Sequence, residues 1–171
     1  LNTQARQHQI RRVKRLISTS EDVWDRHYLH AIRQFAEIVQ GAPASEIHHH
    51  SYHGGLIDHT LEVLAAGVQL SQGYMLPPNS EPEELHSGVD KWRFGVIIAI
   101  LSHDIGKVVT DMEFVYRERG EGFTEWHPWF GMMPVGAEYH YRYRTRLKNS
   151  SASKGLHEKA SMSLVPLLLT K

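Results

Sequence analysis

The sequence predicts a mainly α fold with one short β-hairpin inserted among its helices. Three observations carry this. Apolar residues recur at helical spacing in several separate stretches. One glycine-bearing turn between two aromatic runs interrupts them. The length, 171 residues, suits one domain with one apolar core, and the whole of 1–171 is read as that domain.

Residues 1–19 are polar and basic (Arg6, Arg11, Arg12, Lys14, Arg15) and are expected to form a helical lead-in. Over residues 21–40, Trp24, Tyr28, Ile32, Phe35 and Val39 mark an amphipathic helix, with Ser20 as its N-cap and Gly41 as its stop. Residues 43–55 are a loop holding His48-His49-His50. Residues 56–73 are helical again through Leu56, Leu61, Val63, Leu64, Val68 and Leu70. Residues 77–88 are a proline-rich, acidic connection. Residues 91–105 are apolar on nearly every face from Phe94 to Leu101, which predicts the central buried helix. Phe114-Val115-Tyr116 and Phe123-Thr124 flank Arg119-Gly120-Glu121-Gly122 and predict the hairpin. The aromatic-rich residues 127–147 are expected to be helical in part, 149–155 a serine-rich loop, and 156–169 a last helix containing Pro166.

Composition excludes several classes. Lysine plus arginine equals aspartate plus glutamate at 19 each, so net charge names no partner. The absence of cysteine excludes disulfides and thiolate metal sites and is compatible with the cytoplasm, the location expected here. The longest apolar run, Val96 to Leu101, is far too short to span a bilayer. Leu1 is not an initiator methionine and the chain stops on an apolar run before Thr170-Lys171, so an N-terminal part of a longer protein is expected. Histidine stands out, with thirteen residues, and it is the commonest side chain for holding transition metals.

The strongest chemical signal is His103-Asp104-Ile105-Gly106-Lys107, directly after the apolar helix. An imidazole beside a carboxylate suits a divalent ion such as manganese, iron, zinc or magnesium. Gly106 is expected to let the chain turn sharply, and Lys107 to hold a phosphate as a point charge. A plain helix C-terminus accounts for His103 and Lys107 through the helix dipole, but it leaves Asp104 at the negative end without compensation. A second signal lies earlier, where His59 opens an amphipathic helix in His59-Thr60-Leu61-Glu62-Val63. Alone it is an ordinary boundary histidine; beside His103-Asp104 it becomes a ligand candidate.

A histidine in His-Thr-Leu-Glu-Val, followed after some forty residues by an apolar helix ending His-Asp-Ile-Gly-Lys, resembles the HD superfamily of metal-dependent phosphohydrolases. Pro43-Ala44-Ser45-Glu46-Ile47-His48-His49-His50, then Tyr52 and Gly54-Gly55-Leu56, resembles more narrowly the MobH class of conjugative relaxases, the TraI-like proteins of mobile elements. The resemblance implies an HD-type helical bundle and one or two divalent ions. It makes His59, His103 and Asp104 ligands, with His157 as a further one in a dinuclear site. Asp104, Lys107 and His50 are the catalytic candidates, and His48, His49 and His50 form the site loop. No aspartate follows Asp111, so the last aspartate of the superfamily pattern lies beyond Lys171 or another residue replaces it.

The implied activity is a metal-dependent phosphodiesterase or nickase on single-stranded or nicked DNA, working with other transfer proteins. In Tyr139-His140-Tyr141-Arg142-Tyr143-Arg144-Thr145-Arg146 aromatics and arginines alternate, so Arg142, Arg144 and Arg146 are candidates for contact with a strand. A solvated face explains that stretch equally well. Trp126-His127-Pro128-Trp129 reads as a packing corner. No nucleophile is singled out, although Tyr52 lies near the triple histidine. Two other classes share these motifs: a nucleotide or cyclic-dinucleotide phosphohydrolase, and a degenerate HD module that only binds.

Overall fold

The computed structural model describes residues 1–75, 82–144 and 156–170, with backbone only for 82–87. Its helices are α1 (Gln4–Ile17), α2 (Glu21–Val23), α3 (His30–Val39), α4 (Gly55–Ser71), α5 (Pro82–Ser102), α6 (Lys107–Thr110) and α7 (Leu156–Leu169). A π-helical segment, Trp24–Leu29, runs α2 directly into α3. The strands β1 (Met112–Arg117), β2 (Thr124–Trp126) and β3 (Glu138–Tyr143) form one antiparallel sheet in the order β2-β1-β3.

The lead-in is the helix α1. Thr3 caps it, and Ile10, Val13 and Ile17 are buried where it packs on α4. Ser20 caps the next helix, its hydroxyl accepting from the Val23 amide. Trp24, Tyr28, Ile32, Phe35 and Val39 all face the core. Trp24 and Tyr28 stack at 5.9 Å, within the wider π-helical turn. The core lies between α3, α4, α5 and α7, and α7 keeps Leu164 and Leu168 fully buried despite Pro166.

Three expectations are corrected. The helix α5 already begins at Pro82, inside the stretch read as a connection, and it ends at Ser102. It is not buried all round: Ile97 and Leu101 are, whereas Phe94, Ile98 and Ile100 are only partly covered and Ala99 is exposed. Its covered side packs on α3, α4 and α7. Among the described residues of 127–147, none is helical beyond the single 3-10 turn Pro128–Phe130. The period-two alternation of 138–143 forms β3, with Tyr139, Tyr141 and Tyr143 turned inward and Glu138, His140 and Arg142 outward. The expected hairpin is present, Phe114 opposite Trp126 and Tyr116 opposite Thr124, and β3 completes a sheet on the other edge of β1. Phe114 anchors it, packing on Trp126 at 5.6 Å and Tyr141 at 5.7 Å. Arg146 and the serine-rich stretch 149–155 lie outside the described residues.

Candidate metal centre

The chain beyond α5 turns at 103–106 before entering α6, so His103 and Asp104 sit on a turn just past the helix end. Ile105, fully buried, pins that turn to the core. Gly106 has an ordinary helical φ of −64°, so the expected need for a sharp turn is not its reason. Its reason is space. A Cβ at Gly106 would overlap the carbonyl oxygen of His157, and the Gly106 amide donates to the buried Ser161 hydroxyl at 3.0 Å. The first turns of α7 thus press backbone to backbone on the turn that carries Asp104.

His59 comes from α4, one turn in from Gly55. Its Nε2 lies 3.7 Å from Asp104 Oδ2, and His103 Nε2 lies 3.4 Å from the same oxygen. One ligand atom from each of the three falls within 4.8 Å of the others, the grouping a single cation requires. The chemistry of the donors fits a divalent ion as well. His103 Nδ1 lies 2.5 Å from the Ile100 carbonyl. A carbonyl only accepts, so Nδ1 donates there, and Nε2 is the ring nitrogen on the Asp104 side. Burial lowers the pKa of His59, with His103, His50 and Lys107 acting in the same direction and Asp104 opposing. The neutral ring is the form that ligates metals.

Lys107 occupies a place that the sequence had reserved for substrate. Its ammonium lies 2.7 Å from Asp104 Oδ2 and donates to the Ala44 carbonyl at 3.2 Å. The charge of Asp104 is therefore compensated by Lys107 itself, which also ties α6 to the histidine loop.

That loop turns one of its three histidines inward. His48 and His49 are exposed, while the ring of His50 sits 5.6 Å from that of His59. His50 takes the left-handed φ of +58°, and its carbonyl accepts from the Ala44 amide at 2.9 Å. Only a glycine fits at 55, where a Cβ would strike that same carbonyl. His50 Nε2 faces Glu62 Oε2 at 3.4 Å, and its Nδ1 is buried with no hydrogen-bond partner.

The other candidates lie apart. His157 contributes its backbone to the Gly106 contact, and its side chain is not part of the three-residue group. On the sheet, Arg142 and Arg144 both engage Glu113, Arg142 through Nε at 2.5 Å and Arg144 through NH1 at 3.4 Å. These pairs hold the pKa of Glu113 below the usual carboxylate range. His140 pairs with Glu138 at 3.1 Å and His127 with Glu125 at 3.3 Å. Sequence reasoning passed over Glu62 and the Arg6–Asp58 pair, whose Nε and Oδ1 lie 2.6 Å apart. Glu62 follows His59 by three positions on α4, so helical spacing alone places it on the same face. Arg6 gave no comparable signal, because its partner is more than fifty residues away.

Among the described residues no helix is long and apolar enough to cross a membrane. No curated protein and no solved structure matches the chain. A family model does, over residues 1–170: it is TraI_2, described as "Putative helicase". With that match covering nearly its whole length, the chain belongs to the TraI_2 family and is a TraI-like protein of conjugative transfer.

Proposed function

We propose that this chain is a metal-dependent phosphodiesterase of the HD superfamily and a relaxase of the MobH class, nicking single-stranded DNA. The observation that carries the reading is the convergence of His59, His103 and Asp104, with the Lys107 ammonium on the same carboxylate oxygen. A divalent ion (manganese, iron, zinc or magnesium) held by those three residues supplies Lewis acidity at a phosphoryl group and a stronger nucleophile at neutral pH. Lys107 neutralises charge on the phosphate, and His50 is the neighbouring imidazole available to take a proton from the attacking nucleophile or to give one to the leaving oxygen. The triple-histidine loop and the Gly54-Gly55 entry to α4 support the narrower MobH assignment. His157 is the candidate for a second ion, and Glu62 offers a carboxylate on the His59 face of α4 in the role of the pattern's last aspartate.

The test is cleavage of a labelled single-stranded oligonucleotide spanning the transfer origin of the encoding element. Cutting is expected with manganese, is abolished by a chelator, and is lost in Asp104→Asn. Hydrolysis of free nucleotides with no action on strands supports the nucleotide phosphohydrolase instead. Tight binding of strands with no metal-dependent cutting supports a module that only binds.

A further inference from the structure

Between α1 and α4 lies an open cleft of about 570 Å³, lined by neither His59, His103 nor Asp104. That volume is in the range of small-molecule sites. Its floor is held rigidly. Arg6 donates to both oxygens of Asp58, at 2.6 and 3.1 Å, and to the Gly54 carbonyl at 3.1 Å. The ring of Tyr52 stands in the same lining as this pair. That ring is 52% exposed, a flat aromatic face in the lining of the cleft. Gln9, also in the lining, has its amide oxygen buried with no hydrogen-bond partner. His8 and Arg11 are exposed on the α1 rim.

These features select the kind of group that enters. Arg6 and Asp58 neutralise each other in the floor of the cleft, so the floor favours an uncharged group. A stacking face, an unmatched amide oxygen and a cationic rim together describe a heterocyclic base on a sugar-phosphate chain. Position agrees. The Tyr52 ring lies 5.9 Å from that of His50, and the His50 ring 5.6 Å from that of His59, so the cleft borders the metal centre.

We propose that the α1–α4 cleft is a nucleobase pocket: Tyr52 stacks on the base, Gln9 hydrogen-bonds its edge, and Arg11 and His8 meet the flanking phosphates. The pocket takes the nucleotide beside the one whose phosphate reaches His59, His103 and Asp104. This placement rests on the diesterase reading; the pocket itself does not.

The experiment compares the dissociation constants of a single-stranded oligonucleotide and an abasic one of equal length, by fluorescence anisotropy. The protein is used with its metal content as purified, on strands lacking the transfer origin and so not cut. The parent should prefer the base-bearing strand by roughly fivefold to a hundredfold, the range of one stacked base. Tyr52→Ala should abolish the preference, Gln9→Leu reduce it and Tyr52→Trp keep it. Trp129→Ala, an exposed aromatic outside the cleft, should leave it unchanged. A parent without the preference, or a Tyr52→Ala variant that retains it, overturns the pocket. Failure here is separable from failure of the diesterase. A protein that cuts origin strands without base preference keeps the activity and loses the pocket, and one that prefers bases but never cuts does the reverse.

Discussion

Asp104 Oδ2 has an ammonium at 2.7 Å and two imidazole nitrogens at 3.4 and 3.7 Å, so Lys107 and a divalent ion compete for one oxygen. The competition has a measurable sign. Removing the positive charge in Lys107→Met should tighten metal binding, because a like charge beside the ion is lost. Cleavage should nevertheless fall, on the order of a hundredfold, the usual loss for one electrostatic partner of the transition state. Metal titration and strand cleavage read the two effects separately. A variant that loses metal and activity together would make Lys107 a structural brace through Asp104 and Ala44. At this scale the sequence was legible where a motif is local: His103 and Asp104 are adjacent, and His59 lies in the first turns of its helix. It was not legible where a backbone contact decides. The inward turn of His50 depends on a φ of +58° and on the absence of a Cβ at Gly55. Gly106 was read as a turn residue, yet what matters there is its lack of a Cβ against α7.

At the scale of elements, the contact between the 103–106 turn and α7 is backbone against backbone, so it has no side chain able to yield. Gly106→Ala should therefore destabilise the fold by about 1–3 kcal/mol or more, the range of overpacking. Urea unfolding checks this, and a midpoint equal to the parent's would show that α7 moves aside freely. The sheet teaches a different lesson. Its hairpin was announced by a turn between aromatic runs, whereas β3 was read as partly helical because its alternation is short and its partner, β1, lies far back in sequence. Once β3 pairs, Arg142 and Arg144 share Glu113 and are no longer a free basic stripe. Replacing Arg142, Arg144 and Arg146 by alanine should flatten the salt dependence of strand binding by about 0.7 in slope per lost contact. Glu113→Gln, which frees the first two, should strengthen binding at low salt. Unchanged slopes in both variants would leave this face merely solvated.

Over the whole molecule, the three metal candidates come from α4 and from the turn joining α5 to α6, and α7 closes over that turn from the end of the chain. The mainly α architecture was legible because its helices show their period over ten or more residues. The full burial expected of α5 was not, since hydropathy alone does not reveal how many neighbours a helix acquires. A cation that joins His59 to Asp104 joins α4 to the α5–α6 turn, so it should stabilise the native state by mass action. At a metal concentration a hundred times the dissociation constant this amounts to about 2.7 kcal/mol, which raises the melting temperature by several degrees. The most direct measurement is elemental analysis of the purified protein beside His103→Ala and Asp104→Ala, each shown to be folded by circular dichroism. The expected result is about one divalent transition-metal ion per chain, or two if the site is dinuclear, and loss of most of it in both variants. Equal metal in all three proteins, or none in the parent after growth in metal-supplemented medium, would contradict it.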